Sequence, residues 1–124
     1  MKKLLTITAF LGGIGVILGA LGAHALKHQL DSEQLKSFQT GVLYQMIHVL
    51  AILAIAGISF LNEQKKKIII NIFLLGIFLF SGSIYLIYLA NIPAKSIWFV
   101  TPLGGISFML GWFLLSYYFI KDKK

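Results

Sequence analysis

Residues 38–61, FQTGVLYQMIHVLAILAIAGISFL, form an apolar span that carries Gln45 and His48 where lipid should lie. A run of this length crosses a bilayer as a helix, since about 20 residues rising about 1.5 Å each cover roughly 30 Å of hydrocarbon. Three more long apolar runs accompany it, at 4–26, 68–90 and 97–120. Water is absent from that layer, so backbone groups must bond within the segment, and the runs are too long for barrel strands. The expected fold is therefore all-α: a polytopic membrane protein of four transmembrane helices in one domain, residues 1–124, with an outer polar segment at 28–37.

Composition agrees. In 124 residues, 58% are hydrophobic and 12% charged, far from the balance of a soluble domain. A net charge of +7 would suit nucleic acid, but the lysines sit in short clusters at the ends of apolar runs, so no nucleic-acid partner is expected. In a four-span arrangement Lys2, Lys3, Lys65, Lys66, Lys67, Lys121, Lys123 and Lys124 fall on one side, and Lys27, Lys36 and Lys95 on the other. Because basic residues in short loops stay inside, both termini are expected in the cytoplasm of a multi-pass cell-membrane protein. The Lys65–Lys67 triplet would also attract anionic lipid.

Absence of cysteine excludes disulfides, thiolate catalysis and cysteine-bound metals. Lys2, Lys3, the first apolar run and Ala23-His24-Ala25 imitate a signal peptide, yet the run is longer than a usual signal core, and an uncut helix is expected. On that helix Gly15, Gly19 and Ala23 lie four apart, the small-xxx-small pattern that lets helices approach closely in lipid. Packing inside the bundle is the plain reading of this stripe, and a homo-oligomer interface the sharper one.

Asp31 with Gln34 resembles a capping box, so a helix should start near Asp31 or Ser32 and either run into the second span or bend near Gly41. Residues 62–67 read as a tight inner hairpin and 91–96 as its outer counterpart, with Pro93 ending the third helix. Thr101-Pro102-Leu103-Gly104-Gly105 predicts a kink or an unwound first turn in the fourth. Trp98, Tyr117 and Tyr118 suit interface anchors.

Counted at about 1.5 Å per residue from the outer end, His48 and Ser81 lie about 13 Å deep, with Gln45, Ser83, Gly104 and Gly105 near 10 Å. Amides and imidazoles in hydrocarbon need partners, so Gln45 and His48 should face the interior and bond to Ser81, Ser83, Tyr85 or a carbonyl freed near Pro102 and Thr101. Such a layer reads first as interhelical glue and second as a ligand or proton-handling site open to the outside. Haem fits poorly, because His24 lies about 10 Å shallower than His48. His24 and His28 lack a third ligand, and His28, Asp31 and Ser32 do not converge as a triad. Asp31, Glu33, Glu63 and Asp122 all lie outside the spans, so carboxylate catalysis is absent. No cofactor, metal or catalytic residue is expected.

Gly19-Ala20-Leu21-Gly22-Ala23-His24-Ala25-Leu26-Lys27, Thr40-Gly41-Val42-Leu43-Tyr44-Gln45-Met46-Ile47-His48, Phe80-Ser81-Gly82-Ser83-Ile84-Tyr85, and Thr101-Pro102-Leu103-Gly104-Gly105 with Gly111-Trp112 give one block per span. In this order they resemble the bacterial domain-of-unknown-function 423 family, itself similar to the eukaryotic transmembrane protein 256 family. Ile84 stands where leucine is expected, and Phe99-Val100 where a glycine is common. The resemblance implies a small four-span membrane protein and brings no activity with it.

Three functions are weighed. The first is a non-enzymatic bundle that associates with itself, with lipid or with a membrane partner. The second is a small-molecule or proton-coupled carrier or channel, with a pocket around Gln45 and His48 and a ligand the residues do not specify. The third makes His48 a general base, and it lacks a nucleophile, a metal set and a second titrating group.

Overall fold

The computed structural model describes residues 1–121. Lys123 and Lys124, expected among the inner-side charges, and Asp122, expected outside the spans, lie outside the described residues. Four helices make up the fold: α1 Lys2–Ala23, α2 Ser32–Ala56, α3 Glu63–Leu89 and α4 Val100–Lys121. All four are long and apolar enough to cross a membrane.

Their ends follow from the residues there. Gln34 N donates to Asp31 Oδ1 at 2.9 Å and Asp31 N to Gln34 Oε1 at 3.1 Å, closing the capping box. From that cap α2 runs without a bend through Gly41, so residues 32–37 are its first turns, and a 3-10 turn, Leu26–His28, precedes them. The helix stops at Ala56, ahead of the expected end at Leu61. The hairpin expected at 62–67 also comes earlier. Asn62 Oδ1 accepts from Lys65 N at 2.9 Å and starts α3 at Glu63, which puts Lys65, Lys66 and Lys67 on a helix. Lys66 Nζ reaches across the turn to Ala56 O at 3.0 Å and covers one of the orphan carbonyls that end α2.

Just past the C-terminal end of α3, Asn91 takes a left-handed backbone, φ 54°, and the helix is over before Pro93. The interruption expected at Pro102 is absent: α4 begins at Val100, so Pro102 stands in the first turn, where its missing N–H would have had no intrahelical partner.

Since lipid is as apolar as the side chains, close fit decides which helices pair. Along its length α3 packs against α2 and α4, while α1 leans on α2. Phe108 of α4 lies over Gly76, and Phe73 of α3 lies over Gly111, a reciprocal fit between ring and missing side chain. At Gly104 the approach is closer still, because a Cβ there would overlap the backbone of Phe80. Ile52, Ile69, Ile70 and Phe73 are wholly enclosed at the centre. Among the described residues α1 and α4 share no extended contact, so the bundle is open between them and exposes Leu75, Phe78 and Leu86 of α3 to lipid.

Candidate functional site

Gln45 joins three helices. Its Nε2 donates to Leu11 O of α1 at 2.6 Å, and its Oε1 accepts from Tyr85 Oη of α3 at 2.6 Å. Gly15 makes the first bond feasible. A Cβ on Gly15 would sit 2.5 Å from Met46 Sδ and 3.3 Å from Gln45 Nε2, so a larger residue would displace the Met46 side chain and crowd the amide that reaches the carbonyl one turn earlier.

His48 turns instead toward α4. Its Nδ1 lies 2.7 Å from Tyr44 O, an atom that only accepts, so the proton is on Nδ1. Nε2 is then the acceptor for Trp112 Nε1–H, at 3.1 Å. The imidazole stacks on Phe108 with centroids 3.6 Å apart and planes 9° from parallel, and Phe73 meets it edge-on at 5.0 Å. Both nitrogens are therefore used, and aromatic rings cover the rest.

The serines serve other joints. Ser81 donates to Gly41 O at 2.6 Å, tying α3 to α2. Ser83 bonds Thr101 of α4 and also donates to Phe80 O at 2.9 Å. Thus Gln45 meets Tyr85 as anticipated, whereas Ser81 and Ser83 meet neither Gln45 nor His48, and no carbonyl near Pro102 takes part. The reason is angular: Gln45 and His48 are three residues apart and diverge enough to reach different neighbours, α1 and α3 for one and α4 for the other. Gly104 belongs to a backbone contact, and Gly105 to a groove beside it. Among the described residues every buried side-chain nitrogen or oxygen has a partner.

On α1, Gly15 and Gly22 are buried against Met46 and Phe38 of α2, and Gly19 faces Val42 at ordinary contact distance, 3.6 Å. Ala23 falls off this face and is exposed. The small-residue stripe is thus occupied within the molecule. Three polar contributors went unread in the sequence: Trp112, Ser107, which donates to Ile72 O at 2.8 Å, and Thr8, which donates to Leu4 O at 2.8 Å. For Trp112 a signal existed, since an indole N–H in mid-span needs an acceptor, but counting depth along the spans puts it about 22 Å down and so does not single out His48 as its partner.

Two hollows adjoin the layer. A groove of about 590 Å³ opens sideways between α2 and α4, with Tyr44, His48, Phe80, Gly105, Met109 and Trp112 among its walls. A smaller recess of about 150 Å³ lies between α1 and α3 beside Gln45 and Tyr85. No group of three or more His, Cys, Asp or Glu among the described residues is placed to hold a metal.

Four spanning helices, with a polar layer consumed in joining them, define an integral membrane protein of a small polytopic class. Residues 18–105 match the family model described as Protein of unknown function (DUF423), and the chain belongs to that family. It is 40% identical to the UPF0382 membrane protein of Haemophilus influenzae, over 98% of this chain and 97% of that one. With the UPF0382 inner membrane protein YgdD of Escherichia coli K12 it shares 39% identity over 99% of this chain and 93% of the relative. The UPF0382 membrane protein YwdK of Bacillus subtilis is 32% identical over 93% and 94% of the two chains. No solved structure matches it.

Proposed function

We propose that this protein is a non-enzymatic membrane module that acts by association, through its lipid-facing helix surfaces, with both termini in the cytoplasm. One observation carries the reading: the buried polar side chains of the described spans spend their hydrogen bonds on one another and on backbone carbonyls. A carrier needs polar groups that can exchange partners with a solute, and a general base needs a free nitrogen. His48 offers neither while Tyr44 O and Trp112 hold its two ring nitrogens. What remains available is apolar surface, including Phe10 at 69% exposure on α1 and Phe113 at 72% on α4. Orientation rests on the lysines: the alternating helices carry Lys2, Lys3, Lys65, Lys66, Lys67 and Lys121 to one end, and Lys27, Lys36 and Lys95 to the other.

Native mass spectrometry of the chain released gently from its own membrane tests association. An assembly heavier than one chain, or one with bound lipid or a protein partner, is the expected result. A bare monomer, together with a solute flux in proteoliposomes that His48→Gln abolishes, would overturn the proposal in favour of a carrier.

A further inference from the structure

Tyr44 stands outside the buried network. It is the thirteenth of the 25 residues of α2 and lies about 12 Å along the axis beyond Lys36, the nearest charged residue of that helix. Its carbonyl oxygen accepts from His48, and its ring is braced by Phe80 and Phe108, with centroids 4.9 and 6.1 Å away. The side chain is 40% exposed, and its hydroxyl makes no hydrogen bond among the described residues. Hydrocarbon has neither donor nor acceptor, so a hydroxyl held at this depth stays unsatisfied until something brings a polar atom to it.

A cavity lies at that point. Among the described residues α2 and α4 share no extended contact, and the gap between them is the groove of about 590 Å³ that Tyr44 borders. Small-molecule pockets run from about 300 to 1,000 Å³. Rings make up much of the wall, from Tyr44, Phe80, Trp112 and Phe113. Gly105 adds room: a Cβ there would meet only Phe80 Cδ2, at 4.0 Å, so a larger side chain would stand in the groove and not against the fold. Its neighbour Gly104, by contrast, is needed for the approach of α4 to the backbone of Phe80.

We infer that this groove binds a flat, membrane-dissolved aromatic molecule with a ring carbonyl, which enters sideways from the bilayer and accepts a hydrogen bond from the Tyr44 hydroxyl. Ring walls suit a flat ligand, which stacks on them or meets them edge-on. A carbonyl suits the polar end, because it takes the phenol proton and carries no hydrogen of its own that would need a second acceptor. The groove has none to give, since both nitrogens of His48 are engaged. A phospholipid tail could fill the space, but its ester oxygens stay at headgroup level and leave the hydroxyl unpaired. The inference goes beyond the association reading and does not depend on it, because the groove lies within one chain.

The chain has two tryptophans, so Trp98→Phe in the full-length protein leaves Trp112, on the groove wall, as the single indole. In lipid nanodiscs, menadione should quench Trp112 fluorescence with a saturable component. Its shape-matched analogue 1,4-dimethylnaphthalene has methyls in place of the carbonyls and should compete about tenfold more weakly. Tyr44→Phe keeps the ring and should weaken menadione about tenfold while leaving the competition point of the analogue unchanged, whereas a merely structural effect would weaken both. Gly105→Leu should remove the saturable component. Quenching that rises with menadione without saturating would show partition into lipid alone and overturn the site. Saturation that survives Gly105→Leu would place the molecule elsewhere and overturn the groove. Equal competition by the analogue, or menadione affinity unchanged in Tyr44→Phe, would make the groove a slot for acyl chains and overturn the carbonyl ligand.

Discussion

Trp112 and His48 show how one pair of side chains settles a protonation state. Tryptophan only donates, so the nitrogen it faces must be the bare one, and Tyr44 O holds the proton on the other. Trp112→Phe should cost about 0.6 kcal/mol and leave the aromatic stack in place, as measured by unfolding in mixed micelles. His48→Phe keeps a ring over Phe108 but leaves the Trp112 N–H without its acceptor, so it should cost about 1–2 kcal/mol. His48→Ala should cost about 3 kcal/mol, since it empties an enclosed aromatic site. Membership of the polar layer was legible in the sequence, because glutamine, histidine and serine are conspicuous in apolar runs and helix rise gives their depth. Which group bonds which was not legible, since that depends on the rotation of each helix about its axis. A turn of about 100° per residue sends Gln45 toward α1 and His48 toward α4.

Glycine positions divide the helices into joints that are tight and faces that are free. Gly104→Leu places atoms against the backbone of Phe80, which cannot rotate aside, and Gly15→Leu meets Met46, which can. In thermal unfolding the first should therefore be the more damaging, by 3 kcal/mol or more, against about 1–2 kcal/mol for the second. Gly13→Leu, with nothing within 4 Å, should be neutral or slightly stabilising. The existence and order of the four helices could be read from apolar length. Their ends shifted where caps outweighed hydropathy: Asn62 draws Lys65–Lys67 onto α3, and Pro102 begins a helix instead of bending one. The α1 glycine stripe was visible in the sequence, but its partner was not, since a small-residue face suits a neighbour in the same chain and one in another chain equally.

At the scale of the whole molecule, the bundle is held by polar joints on the inside and offers apolar surface on the outside. Lysine placement gives a direct check: reporter fusions at either terminus should read as cytoplasmic, and exchanging Lys65, Lys66 and Lys67 for glutamine should weaken that preference. The central claim is that the buried polar groups are there to hold helices together. It is tested most directly by a double-mutant cycle on Gln45 and Tyr85, whose side chains meet at 2.6 Å. Unfolding free energies of Gln45→Leu, Tyr85→Phe and the double variant should show each single change to be destabilising, with a coupling of about 0.6 kcal/mol. Single variants as stable as the wild type or more so, with no coupling, would contradict the claim and mark these residues as kept for an activity at the expense of stability.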